Sequence, residues 1–228
     1  MGTWSPTLLH DIFAHEIARG LGLNFQDYRP VVVFINGEYW GIQTIRDRID
    51  ERYLGYSYDL DKDSVEIRGF YNTSYFDLED FIQANDLSNN ENYDFVKSKI
   101  DIENFIDYHI TEMFLTNTDW PANNMELWKE KSSDGKWQWI FYDLDGGFSS
   151  FEYNMFEHMN TNDSSIVHPN SPSSTFMFRN LIKNQEFTDQ FINRYAELLC
   201  NDFHVDTLKH KLNPVSYTHL TLPTICSV

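Results

Sequence analysis

The sequence has little cysteine, little positive charge and no long apolar run, and each shortage excludes something. Its two cysteines, Cys200 and Cys226, have neither zinc-ligand spacing nor the numbers for a disulfide framework. They leave the redox compartment undecided. No apolar run approaches the roughly 18–20 residues that a membrane-spanning helix needs, so no span is expected. The first residues, Met1-Gly2-Thr3-Trp4, are not a basic stretch followed by an apolar one, so no secretory leader is visible. Lys and Arg number 17 against 35 Asp and Glu, a formal charge of −18. A surface of that sign repels phosphate backbones and anionic bilayers, which argues against bulk nucleic-acid binding and docking on acidic membranes. A polyanionic ligand would need local positive charge here, most simply a bound divalent cation.

What is present suits a globular domain. The chain has 228 residues, 41% hydrophobic and 16% aromatic, enough for one domain with a sizeable core. Leu8, Leu9, Ile12, Phe13, Ile17 and Leu21 recur at three- and four-residue spacing, which predicts a helix from about Pro6 to Leu23, stopped by Gly20 and Gly22. Arg29-Pro30 then breaks to an extended run, Val31 to Ile35. Asn36-Gly37, a strong hairpin signal, leads to a return strand from Tyr39 to Ile45. The first of these strands is nearly all apolar, so the hairpin is expected to be covered on both faces. Further on, the pattern predicts a short strand Val65–Ile67, short helices Asp77–Ala84 and Tyr93–Lys99, and a stronger helix from about Ile102 to Leu115. Strands Met125–Lys131 and Lys136–Tyr142 follow, joined by the turn Ser132-Ser133-Asp134-Gly135. Residues 148–174 read as a long loop, and helices close the chain at Phe176–Lys183, Glu186–Cys200 and onward to Leu212.

The segment Val215-Ser216-Tyr217-Thr218-His219-Leu220-Thr221-Leu222-Pro223-Thr224 is uncharged and follows a charged helical pattern. The codons GTC-TCT-TAT-ACA-CAT-CTG-ACG-CTG-CCG-ACG encode it and match a transposon-end sequencing adapter. The expectation is therefore a domain over 1–213 and an adapter-derived tail over 214–228.

The chemistry-bearing stretch is Thr118-Asp119-Trp120-Pro121-Ala122-Asn123-Asn124, followed by Trp137-Gln138-Trp139-Ile140-Phe141-Tyr142-Asp143-Leu144-Asp145-Gly146-Gly147-Phe148. Asp119 and Asn124 are five apart after a buried-looking helix, and Asp143 ends a hydrophobic strand. Phosphoryl transfer is mostly positioning and electrostatic stabilisation, and it needs such groups. One carboxylate meets the attacking hydroxyl, while an Asn and a further Asp hold divalent ions on the phosphates. The spacing alone also fits a turn in which Asp119 caps backbone donors, or a structural Ca²⁺ loop at Asp143 and Asp145. His15-Glu16 opens like a zinc-binding His-Glu-x-x-His, but Arg19 stands where the second His belongs, so His15 reads as a helix-packing residue. Arg46 and Arg48 read as pairing with Asp47 and Asp50. Trp137 and Trp139 share one strand face and read as core, and Trp120 reads as a wedge holding its loop.

Three phrases carry a resemblance: Tyr28 to Ile42 (YRPVVVFINGEYWGI), Asn117 to Asn124 (NTDWPANN) and Trp137 to Phe148 (WQWIFYDLDGGF). In this order they resemble the CotH family, the spore-coat protein H-like atypical kinases of bacteria, over roughly Thr3 to Leu212. The resemblance implies an α+β, protein-kinase-like fold, mostly the C-terminal lobe plus a hairpin from the nucleotide-cleft region. It implies ATP- and Mg²⁺- (or Mn²⁺-) dependent transfer to Ser or Thr of coat or surface proteins. By motif, Asp119 is the catalytic carboxylate. Asn124 and Asp143 are metal ligands, Asp145 is a less central one, and Asn123 is the fallback for Asn124. Glu38, Tyr39, Trp40 and Arg46 are candidate nucleotide-cleft residues. Localisation at a spore coat, a cell surface or outside the cell is implied only this way. Family members carry an upstream segment that completes the nucleotide lobe and its lysine. Residues 1–214 alone are therefore expected to bind nucleotide poorly. The competing expectations are a non-catalytic coat or adhesion scaffold and a Ca²⁺-stabilised binding module.

Overall fold

A computed structural model describes residues 9–68 and 73–225, in a mixed α+β arrangement. Its centre is a four-stranded sheet of β1 (Asn24–Phe25), β6 (Gln138–Phe141), β5 (Glu126–Glu130) and β4 (Val65–Ile67), in that spatial order. β1 runs parallel to β6, with Asn24 opposite Ile140, and the other neighbours are antiparallel. Side chains on a strand alternate between faces. On one face Leu127, Trp139 and Phe141 enter the main core, as does Trp137 just before β6. On the other, Trp128 and Ile140 pack with Val65 and with Leu54 of α2 (Glu51–Tyr58).

After α3 (Thr73–Ala84) and α4 (Asn90–Lys97), helix α5 (Ile102–Phe114) lies on the first face, and its apolar stripe Ile102, Phe105, Ile106, Ile110 and Met113 is buried as the spacing predicts, with Phe114 at its end partly buried. Asp101 caps it by accepting from Asn104 N at 3.1 Å. Asp101 N donates to Trp137 O, Asn104 bonds Trp139, and the Tyr108 ring meets Phe141. Helix and strand therefore run in the same direction, so the loops leaving α5 and β6 start at one end of the domain. Beyond α7 (Phe176–Leu181), helix α8 (Gln185–Cys200) covers α5 through Phe187, whose ring meets Phe105, and Arg194 forks onto Asp107 at 2.7 and 2.9 Å.

β2 (Tyr28–Ile35) and β3 (Glu38–Arg46) form the expected hairpin. Asn36 and Gly37 both take positive φ, 54° and 86°, as a type I′ turn requires. The expected covering on both faces is not found. The pair forms a sheet of its own, and Phe34, Trp40 and Ile45 are 56%, 61% and 59% exposed. No third strand joins it among the described residues, so apolar content alone did not decide burial.

Three further boundaries differ. α1 spans His10–Arg19, and the expected residues before Leu9 lie outside the described ones. The long loop contains a short helix, α6 (Met155–Asn160), capped by Asn154 and anchored by buried Met155 and Met159. Six residues are too few to show a period. α9 (Val205–Ile225) runs past Leu212. No glycine ends it there, and Val215 is buried, so it passes Pro214 despite the lost backbone donor.

Candidate active site

The loops after α5 and β6 meet, and they carry Asp119, Asn124, Asp143 and Asp145. Asn124 stands between the two loops. Its Nδ2 donates to Asp143 O at 3.3 Å and lies 3.5 Å from Asp119 Oδ2. Asn123 Nδ2 donates to Asp119 Oδ1 at 3.2 Å. His168, from the long loop, places Nε2 3.7 Å from the same oxygen. Thr116, Asn124, Asp143 and Phe148 all have left-handed backbone, φ 52° to 59°. That conformation costs a non-glycine residue about 1 kcal/mol or more. Four such residues in two short loops persist because the surrounding contacts over-determine them.

Those contacts are visible. Trp120 is fully buried; its indole donates to Tyr108 Oη at 2.9 Å, and its carbonyl meets His158 Nε2 at 2.7 Å. It is the wedge its position suggested. Ala122 N donates to Pro169 O at 2.8 Å, which ties the long loop to this one. Behind Asp119, Asn117 Nδ2 donates to Glu112 Oε2 at 2.9 Å, and Asn117 Oδ1 accepts from Asp119 N at 3.4 Å. A Cβ on Gly146 would sit 2.8 Å from that same Oδ1 and 3.2 Å from Asp119 Cβ. Only glycine lets the two loops approach this closely. Phe148 packs against Phe13 at 5.7 Å and His10 at 5.5 Å.

The electrostatics are those of crowded negative charge. Burial, then Asp145 and Asp119, raise the Asp143 carboxyl above its ordinary range, while Arg46 opposes them. Arg46 pairs with Asp11, and Asp11 Oδ1 accepts from Leu144 N at 2.8 Å. The expected pairing of Arg46 with Asp47 or Asp50 is thus replaced: β3 ends at the acidic loop, and α1 supplies the partner. Glu112 is fully buried, which pushes its carboxyl up to about 8 against the hydrogen bond from Asn117. Its Oε1 makes no hydrogen bond, although the Tyr108 hydroxyl is near enough to favour ionisation. His15 is buried, with Nδ1 on Asp11 O at 2.7 Å, and burial lowers it to about 4. It is a packing residue and not a zinc ligand pair.

Of the candidate cleft residues, the structure brings Arg46 to the acidic cluster. Glu38, Tyr39 and Trp40 lie at the other end of β3, on the order of 20–26 Å along the strand. Asp11, Glu112, Asn117 and His168 are additions to the site. Glu112 stands seven residues after Phe105, on the face of the α5 stripe, and that register was its readable sign. Asp11 had none, being 133 residues from its partner Leu144.

Among the described residues no three His, Cys, Asp or Glu side chains form a ready-made metal cluster. The donors here are hard oxygens of two or three Asp and an Asn, with mutual repulsion raising Asp143. That set fits Mg²⁺, which keeps its waters and takes one or two carboxylates plus substrate phosphates. It fits less well the six to eight oxygens that Ca²⁺ gathers. No helix among the described residues is long and apolar enough to cross a membrane. No curated protein matches the chain significantly. A family model described as CotH kinase protein matches residues 4–219, nearly the whole length. The loop pair built around Asp119 and Asp143 lies inside that match, and the chain belongs to the CotH kinase protein family.

Proposed function

We propose that this protein transfers the γ-phosphoryl group of ATP to Ser or Thr hydroxyls of coat or surface proteins. The observation that supports it best is the junction of the two loops, where Asn124 touches both Asp119 and Asp143. Asp119 sits at the exposed edge, able to orient an incoming hydroxyl and accept its proton. Asn123 and Asn124 hold its carboxylate in place. Asp143 and Asn124, with Asp145 beside them, would hold Mg²⁺, which when bound would offset charge on the phosphates. Glu112 and Asn117 fix the Asp119 backbone from behind. Arg46 supplies positive charge on the hairpin side of an otherwise acidic region.

The full-length protein, incubated with radiolabelled ATP, Mg²⁺ or Mn²⁺ and a generic Ser/Thr acceptor, is expected to label the acceptor. Asp119→Ala and Asp143→Ala are expected to abolish the label. Labelling unchanged in both variants refutes the site. Melting that responds to Ca²⁺ but not to ATP with Mg²⁺ favours a binding module instead.

A further inference from the structure

The chemistry above leaves His168 without a task. It comes from the long loop, and its Nε2 lies 3.7 Å from Asp119 Oδ1, with the two side chains 47% and 43% exposed. Among the described residues neither of its ring nitrogens makes a hydrogen bond. A circuit of contacts holds its backbone in place. Pro169 O accepts from Ala122 N at 2.8 Å. Asn170 is buried, and its Nδ2 donates to His158 O at 2.9 Å. His158, buried on α6, closes the circuit at Trp120 O, 2.7 Å from its Nε2. A carbonyl only accepts, so His158 carries its proton on Nε2, and its Nδ1 accepts from Tyr153 Oη at 3.0 Å. The two residues after His168 are thus tied to the residues just after Asp119, while Val167 before it is 82% exposed.

We infer that His168 is a second catalytic residue, whose Nε2–H donates to the oxygen of the acceptor's Ser or Thr hydroxyl while that hydroxyl donates to Asp119 Oδ1. The inference rests on the kinase reading above and deepens its account of the acceptor. Nε2 faces an oxygen that only accepts, which favours the proton on that nitrogen. Hydrogen bonds of this kind run about 2.7–3.0 Å, so one hydroxyl oxygen fits within reach of two atoms 3.7 Å apart. Asp119 Oδ1 accepts from Asn123 Nδ2 and keeps a lone pair for a second donor. A hydroxyl oxygen has one proton and two lone pairs. Asp119 alone fixes the O–H direction and leaves the oxygen free to turn about it. With His168 on one lone pair, the other is aimed at phosphorus, which is the alignment that positioning supplies. In the transfer the acceptor oxygen bonds the γ-phosphorus as the bond to the ADP oxygen breaks. The hydroxyl proton passes to Asp119, and His168 keeps its own.

The test uses the full-length protein with a Ser peptide as acceptor. His168→Leu removes the donor and keeps an apolar side chain of similar reach, and His168→Gln restores an N–H. His168→Leu is expected to lower kcat/KM for the peptide by about 10²-fold, with the KM for ATP and the melting temperature unchanged. His168→Gln is expected to recover most of that loss, which a role in loop packing alone does not predict. A second readout follows the His168 imidazole by NMR, identified by its loss in His168→Gln. The Ser peptide is expected to shift it, and the same peptide with Ala in place of Ser to leave it unmoved. Full transfer in His168→Leu, a loss that His168→Gln does not recover, or equal shifts from the two peptides overturns the role of His168. If Asp119→Ala is inactive in the same assay, that result leaves the kinase reading standing. A parent protein that transfers no phosphate overturns both.

Discussion

The two sheets of this protein treat apolar side chains in opposite ways. The four-stranded sheet is covered on both faces, by α5 and the main core on one and by α2 on the other. The β2–β3 sheet leaves Phe34, Trp40 and Ile45 more than half exposed. The site follows the covered sheet. Asp119 leaves α5, Asp143 leaves β6, and the buried Trp120 and Glu112 lock their loops. The hairpin contributes Arg46, its last residue, to the acidic cluster through Asp11. Groups that must hold sub-ångström positions belong on packed elements, and the comparison shows which of the two sheets offers that.

The strongest way to break the comparison is at the covered side. Asp143→Asn is expected to lower phosphoryl transfer by about 10³-fold, read as initial rate of label transfer, with the melting temperature unchanged or higher. It relieves the repulsion that raises Asp143. A rate within tenfold of the parent would place the chemistry elsewhere. Gly146→Ala comes next. Its new Cβ meets Asn117 Oδ1 at 2.8 Å and Asp119 Cβ at 3.2 Å, so the loops must part. About 10²-fold loss of rate is expected from that misplacement, with roughly 1–3 kcal/mol of stability lost to overpacking. A denaturant titration and a rate assay on the same sample separate the two.

Asp11→Ala tests the link between the two sides. It removes the partner of a half-buried arginine and the acceptor for Leu144 N. A loss of about 2 kcal/mol in urea unfolding is expected. No loss would mean that the hairpin docks without this ion pair.

Glu112→Gln tests the covered side through pH. Below about pH 4.5 the Glu112 carboxyl is protonated whether the chain is folded or not. Between 4.5 and about 8 the unfolded chain releases the proton while the folded one keeps it. Stability from this group therefore drains as pH rises through that window. Gln keeps an acceptor for Asn117 and does not titrate. The two proteins are expected to melt alike near pH 4.5, with Gln ahead by more than about 1 kcal/mol at pH 8. Parallel melting curves across the window would show that Glu112 is ionised in the fold.

Much of this was legible in the chain and some was not, for physical reasons. The α5 stripe and the Asn36-Gly37 turn are local patterns, and local geometry decides them. The Asp119-x-x-x-x-Asn124 spacing pointed to a site, but alone it favoured an ordinary cap and loop over a kinase loop and left a Ca²⁺ loop open beside them. The Asp11–Leu144 bond and the Gly146–Asn117 approach join segments far apart in sequence, and no periodicity records such pairs. The exposure of the hairpin failed for a third reason. Val31 to Ile35 is apolar enough for burial, and α9 does lie against the hairpin, but how much of it that one helix covers is not specified by composition.

That failure sets the smallest predicted effect. Trp40 is 61% exposed on a strand whose hydrogen bonds go to β2 alone. If its environment in the folded protein matches its environment in the unfolded chain, replacing it transfers little surface between water and protein. Trp40→Ser is then expected to change unfolding free energy by no more than about 0.5 kcal/mol. The same substitution at Trp139, 1% exposed, is expected to cost about 3–5 kcal/mol, as truncating buried aromatics does. Measured side by side in urea, the pair reads the difference between the two sheets directly. A cost at Trp40 approaching that at Trp139 would mean that something covers the hairpin in solution. The exposure of Phe34, Trp40 and Ile45 on the hairpin would then be the part of this account to abandon.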